Sequence, residues 1–331
     1  MKLPATEIKS IAIFRALQLG DMLCAVPSFR ALREAYPQAS ITLVGLPWGK
    51  SFTQRFNKYF DDFIHFPGYP GLPEQKFEPA DFTRFLTEVQ SREFDLVIQL
   101  QGNGSVVNPM VELFGAKYTA GYTIDGHYAP DNGLFMTYPG EGHEIERHVK
   151  LMEFLGIPSQ GTSLEFPLTA DDESAFAQLN LNIEPQKYIC VHPGSRGSWR
   201  QWPVQYFAAL ADYCAEQGYK VVITGTAEEQ EIIDQVKEHM RTEAIDLAGK
   251  TSMGAVAVLI KDSAMLISNC TGVSHIASAF KTPSIVISMD GEPERWGPLD
   301  GRRHRTINWL EAPDFHSVVR ETIELVEHTS Y

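Results

Sequence analysis

Nowhere in the 331 residues do about 18 apolar residues run together, and the first ten lack an apolar core with a small-residue cleavage site. Neither a membrane span nor a secretory leader is expected. Cysteine is scarce: Cys24, Cys190, Cys214 and Cys270 show no CxxC or Cys/His spacing, which argues against a zinc site or a disulfide framework and fits a reducing, cytoplasmic setting. Positive charge is also short. Lys and Arg number 28 against 42 Asp and Glu, and a net charge of -14 argues against binding nucleic acid through its phosphates. An anionic ligand therefore needs a local positive site. The sequence has no GxGxxG and no GxxxxGK[ST], which counts against a dinucleotide dehydrogenase and a P-loop NTPase. It has no Asp-x-Asp, the usual metal-holding arrangement of nucleotide-sugar enzymes, so a transferase here is expected to use no metal. Nor is there a repeat at a period of about 20 to 50 residues.

What is present is βα winding, twice. Ile8 to Arg15, Ile41 to Leu46, Asp62 to Phe66 and Leu96 to Leu100 read as short apolar strands. Helical spacing separates them at Met22 to Tyr36, at Ser51 to Tyr59 with Ser51 as its cap, and at Asp81 to Glu93. Gly102 to Pro139, rich in Gly, Asn and Tyr, reads as loops, and Glu144 to Leu155 as a helix. Pro158 to Glu184 mixes Pro, Ser, Thr and acidic residues and is the candidate linker. Strands then recur at Tyr188, Lys220, Ala244, Ala264 and Ser284, alternating with helices, and Phe315 to His328 is a final helix. Such alternation predicts a parallel α/β sheet in each half.

In an open α/β sheet, ligands sit where strands end and helices begin. Three such junctions in the second half carry the right chemistry. After Tyr188 to His192 comes Pro193-Gly194-Ser195-Arg196-Gly197-Ser198-Trp199-Arg200, where glycines admit a close group and Ser195, Arg196 and Arg200 offer donors to phosphate. Thr224-Gly225-Thr226-Ala227-Glu228-Glu229 brings a pair of acids suited to ribose hydroxyls, though acids are common in a first helical turn. Ser268-Asn269-Cys270-Thr271-Gly272-Val273-Ser274-His275 runs from strand into helix, so the N–H groups of Thr271 and Gly272 point at whatever lies beyond. His275, in that first turn, either donates to a phosphate or is packed between helices. In the first half, Leu19-Gly20-Asp21 sets a carboxylate at a helix start, where it serves as an N-cap or as a general base. Arg302-Arg303-His304-Arg305 is the densest basic cluster and reads as solvated surface.

Together, Ile13-Phe14-Arg15, Leu19-Gly20-Asp21, Pro27-Ser28-Phe29-Arg30-Ala31-Leu32, His192-Pro193-Gly194-Ser195, Trp202-Pro203, Leu247-Ala248-Gly249-Lys250-Thr251-Ser252 and the Ser268 to His275 stretch resemble the lipopolysaccharide heptosyltransferases, glycosyltransferase family 9. The resemblance spans nearly the whole chain. It implies an α/β fold of GT-B architecture, two Rossmann-like doubly wound domains facing a central cleft: an acceptor-side domain at 1–167, a linker at 168–186, and a nucleotide-sugar domain at 187–314. The last helix, 315–331, would pack back on the N-terminal domain.

The resemblance further implies an inverting, metal-independent glycosyltransferase with no cofactor, moving a heptose from ADP-heptose to a lipid-linked inner-core or related glycan. It would work in the cytoplasm, with peripheral contact at the inner membrane. Asp21 would be the base, and Arg200 would stand where the family usually places a lysine before Trp-Pro. His192, Gly194, Ser195, Thr226, Glu228, Glu229, Lys250, Thr251, Cys270, Thr271, Gly272 and His275 would line the donor site, with Glu229 at the ribose and Lys250 to Met253 beside adenine. Arg15, Gln101 and Asn103 would fall on the acceptor side. The family usually has Asp immediately before Thr-Gly, and this chain has Cys270, whose thiol cannot supply two strong acceptors. That departure keeps two alternatives open: another nucleotide sugar in the same fold, or a nucleotide-sugar binding protein without turnover.

Overall fold

A computed structural model describes residue 3 and residues 7–329. The outermost ends of the expected domains therefore lie outside the described residues. The chain divides into two units, Met1–Ser163 and Leu164–Tyr331. The first runs β1 (Ser10–Phe14), α1 (Leu19–Ala35), β2 (Ser40–Gly45), α2 (Gly49–Arg55), β3 (Asp62–His65) and α3 (Pro79–Ser91). It continues through β4 (Leu96–Gln99), α4 (Val107–Glu112), β5 (Tyr118–Thr123), β6 (Phe135–Thr137) and α5 (Glu144–Phe154). The second opens with α6 (Ala170–Gln178) and β7 (Tyr188–His192), then α7 (Val204–Glu216), β8 (Lys220–Ile223), α8 (Gln230–His239), β9 (Ala244–Asp246) and α9 (Met253–Asp262). After these come β10 (Met265–Asn269), α10 (Gly272–Phe280), β11 (Ser284–Ser288), α11 (Pro293–Trp296), β12 (His304–Asn308) and α12 (Phe315–Thr329).

Each unit holds one six-stranded parallel sheet, in the orders β3-β2-β1-β4-β5-β6 and β12-β11-β10-β7-β8-β9. Numbered within its unit, the second order is the first read backwards. Both are therefore the doubly wound 3-2-1-4-5-6 arrangement, whose order reverses between first and fourth strands. The central strands are apolar along their length because helices cover both faces: Ile11, Ala12, Ile13 and Phe14 of β1, and Tyr188, Ile189, Cys190 and Val191 of β7, are at most 1% exposed. The two reversal points, β1/β4 and β7/β10, therefore aim their loops outward from a rigid floor.

Several expectations are corrected. Ser51 is not a cap; α2 starts at Gly49 behind Trp48, whose carbonyl accepts the Ser51 hydroxyl. The supposed loop region from 102 to 139 contains α4, β5 and β6. Its glycines serve close packing: a Cβ at Gly121 would sit 2.5 Å from Gln99 Cγ, because the Gln99 amide crosses there to reach Asn108 Oδ1 and the Tyr122 carbonyl. The basic cluster at 302–305 opens edge strand β12, and Arg303 and Arg305 are paired with Asp300 and Glu321. α6, placed in the linker, belongs to the second unit and packs on α9. In the last helix, Val318 and Leu325 join the second unit's core with Ile285, Ile287 and Trp309. Phe315 of the same helix stacks on Tyr206 at 5.1 Å.

Candidate active site

At the reversal point of the first sheet, β1 turns into α1 through Arg15 to Gln18. Gln18 and Asp21 form a reciprocal capping box, in which Asp21 Oδ2 accepts the Gln18 N–H at 3.3 Å. Asp21 is thus the third helical residue, not the cap, and stays half-buried with its carboxylate in the first turn. Its backbone carbonyl accepts Arg15 Nε and Nη2 at 3.1 and 2.7 Å.

Arg15 is 1% exposed, and it also donates Nη1 to the Leu100 carbonyl and lies 3.9 Å from Glu144. Gln101 is 4% exposed, and its Oε1 accepts the Ala16 N–H at 2.8 Å. Of the three expected acceptor contacts, then, Arg15 and Gln101 are turned into the protein and fix the turn that carries Asp21. Asn103 is half-buried and closes a local turn onto the Ser105 N–H.

Behind this turn lies a charged network on α5 that sequence reading missed. Glu144 meets Arg147 at 3.2 Å and His148 at 3.3 Å, and His148 Nδ1 meets the Tyr122 hydroxyl at 3.0 Å. The signal was the spacing: Glu144, Arg147 and His148 are i, i+3 and i+4 on one helical face. Burial, helped by Arg15, pushes His148 down to about 4, against the opposing pull of Glu144.

The second reversal point gathers most of the expected donor residues, because β10, β7, β8 and β9 are consecutive neighbours and their trailing loops lie side by side. After β7, Gly194 admits the Glu229 carboxylate: a Cβ there would stand 2.0 Å from Glu229 Oε1. Glu229 Oε2 accepts the Thr226 N–H at 2.8 Å and lies 4.0 Å from His192 Nε2. His192 Nδ1 is 3.1 Å from Thr224 Oγ1, and burial keeps its pKa low despite Glu229. Glu228 and Thr226 are exposed on the same turn. The β9 loop is tied to it by the Gly249 N–H on the Gly225 carbonyl at 2.9 Å, which brings exposed Lys250 and half-buried Thr251 alongside. Lys250 Nζ bonds back to the Asp246 carbonyl.

After β10, Thr271 precedes α10 in extended conformation, and the first N–H groups of that helix have no intrahelical partner. Thr271 Oγ1 and Ser195 Oγ are buried and lack a hydrogen-bond partner among the described residues. Unpaired buried hydroxyls are costly, and both of these stand on loops leaving the second reversal point, where a ligand's oxygens could pair them. His275 is 3% exposed in the first turn of α10. Cys270 is buried, and burial, with Asp290 nearby, pushes its thiol up to about 12.

Two further residues, present in the sequence motifs but given no role there, organise this site. Asn269, fully buried, donates to the Pro193 and Gly194 carbonyls at 2.7 and 3.3 Å and accepts the Trp202 N–H at 2.9 Å. Trp202 itself is sealed against Phe207, Trp309 and Phe315. The loop from Ser195 to Gln201 is therefore pinned at both ends, and Arg200, at the end of a single helical turn, is held by Asp290 from beyond β11.

Residues 82–325 match the model of glycosyltransferase family 9 (heptosyltransferase). The chain is 24% identical over 288 residues to lipooligosaccharide heptosyltransferase 2 of Haemophilus ducreyi, covering 82% of this chain and 80% of that one. In fold it is similar to a family 9 glycosyl transferase from Veillonella parvula, with TM-score 0.78, 19% identity and coverage of 99% and 100%. It is likewise similar to the Escherichia coli ADP-heptose lps heptosyltransferase II, with TM-score 0.77, 20% identity and coverage of 98% and 100%.

Proposed function

The chain belongs to glycosyltransferase family 9, and from that premise we propose that it moves a heptose from ADP-heptose to a lipid-linked inner-core or related glycan, with inversion and without a metal ion. The fold is of the GT-B type. The observation that carries the reading is the pair of unpartnered buried hydroxyls, Ser195 Oγ and Thr271 Oγ1, at the reversal point of the second sheet and on the same loops as Arg200 and the α10 N–H groups. That set suits a diphosphate. ADP-heptose is the donor named for the E. coli neighbour.

In this account the first unit serves the acceptor and the second the donor. Asp21 takes the proton from an acceptor hydroxyl as that oxygen bonds to the anomeric carbon and the bond to the diphosphate oxygen breaks. The charge that gathers on departing ADP is met by the Arg200 guanidinium, the Ser195 hydroxyl and the N–H groups of Thr271 and Gly272, each good donor being worth about 3 to 4 kcal/mol. Glu229 offers its carboxylate to the ribose hydroxyls, and Lys250 and Thr251 border the base. No helix among the described residues is long and apolar enough to cross a membrane, and the proposed work place is the cytoplasmic face of the inner membrane.

Asp21→Asn tests the assignment. Turnover of ADP-heptose with a lipid-linked acceptor should fall roughly 100-fold or more while ADP affinity stays within about threefold. Chelator should leave the wild-type rate unchanged. An Asp21→Asn variant as active as wild type would remove the base. A second reading, the same chemistry with another nucleotide sugar, is favoured by the buried neutral thiol of Cys270 where relatives usually carry an acid.

A further inference from the structure

We propose that Asp290 is the positioning residue of the donor site, holding the Arg200 guanidinium at the diphosphate from the end of β11, in place of a carboxylate at position 270. The inference rests on the transferase reading above. Arg200 Nη2 donates to Asp290 Oδ2, and the Asp290 side chain is 8% exposed. Asp290 is itself locked, since its Oδ1 accepts the Ser288 hydroxyl at 2.7 Å and the Glu292 N–H at 3.3 Å. Burial alone would raise the Asp290 pKa, but these bonds and the Arg200 charge outweigh it and keep the carboxyl below its ordinary range. The guanidinium also lies 5.4 Å from the ring of Trp199, which is 67% exposed. Arg200 thus meets both a fixed anion and an aromatic ring.

The topology explains how the acid can stand at 290. β10 and β11 are paired neighbours, and the Cys270 N–H bonds the Ile287 carbonyl at 2.9 Å, so position 270 and the segment after Ser288 leave the sheet side by side. Cys270 feels the charges of both Asp290 and Arg200. A carboxylate at 270 together with Asp290 would put two like charges beside one cation, and a buried neutral thiol avoids that repulsion. The choice of arginine follows. A guanidinium can give one edge to Asp290 and keep further N–H donors for phosphate, whereas a lysine offers a single point charge.

The test is a four-protein cycle of wild type, Asp290→Asn, Cys270→Asp and the double variant, read by turnover of ADP-heptose with lipid-linked acceptor, by calorimetric ADP affinity and by unliganded melting. Asp290→Asn should lower kcat roughly tenfold to a hundredfold, as misplacing a catalytic group does, with ADP affinity within about threefold. Cys270→Asp alone should slow turnover, yet the same change should restore most of the rate lost in Asp290→Asn. A merely structural Asp290 would move the melting midpoint without that reversal of sign. Wild-type turnover in Asp290→Asn, or a double variant no faster than Asp290→Asn, overturns the inference. If Asp290→Asn does not fold, undiminished turnover in Cys270→Asp overturns it instead. A wild type that neither binds ADP nor turns over ADP-heptose sinks the transferase reading itself, and this inference with it.

Discussion

Asp21 shows how one side chain answers to two demands. The capping box that places it in the first turn of α1 is ordinary helix chemistry, yet the same geometry leaves a half-buried carboxylate at the end of β1. Its position was legible from Leu19-Gly20-Asp21; the buried arginine that fixes its turn was not. Arg15 and Gln101 were expected on the acceptor side, and their inward bonds were not legible because sequence shows the type of a side chain and not its direction. Asp290 went unnoticed for a related reason: its partner Arg200 is 90 residues away, and no local spacing joins them. The buried histidines carry a pH prediction. Burial pushes His148 and His304 down to about 4, whereas in the unfolded chain they protonate near their ordinary value of about 6.5. Between those values the folded state binds fewer protons, so stability is full above about 6.5 and falls as pH drops toward 4, by a few kcal/mol in total. The urea midpoint should therefore be clearly lower at pH 5 than at pH 7; equal midpoints would contradict neutral burial of these rings.

Strands with two buried faces were the easiest elements to read, as in Tyr188–His192 and Ser284–Ser288, whose bounds were read from sequence as the structure has them. β5 was hidden by its composition. Tyr118, Thr119, Tyr122 and Thr123 favour a strand, but Gly121 reads as a breaker until the Gln99 side chain lying over it is known. β12 was masked by Arg305 and the two arginines just before it, charges that an edge strand tolerates better than a central one. At this scale Asn269 is the joint between β10 and the loop after β7. Asn269→Ala should leave the buried Trp202 N–H and Pro193 carbonyl unpaired, costing about 1 to 3 kcal/mol, and should weaken ADP binding by loosening the loop of Ser195. Unchanged melting and ADP affinity would show that the loop is held by Trp202 packing alone.

At the scale of the molecule, two sheets of the same strand order carry unrelated chemistry at equivalent places. The first reversal point holds a carboxylate backed by a buried charged network, the second a set of hydroxyls, helix N–H groups and one clamped arginine. Parallel α/β sheets were readable because βα alternation survives any exchange of apolar residues, and the resemblance supplied the doubly wound order. Ligand identity was less so, since it depends on few side chains, of which Cys270 departs from the resemblance. With a net charge of -14, the proposed anionic donor needs a local positive arrangement of this kind. The most direct test is calorimetric titration of the whole chain with ADP, UDP, GDP and NAD in the presence of chelator. The account predicts saturable 1:1 binding of ADP, at least about tenfold tighter than that of the other three. Equal or tighter binding of UDP, GDP or NAD would contradict the ADP-heptose donor.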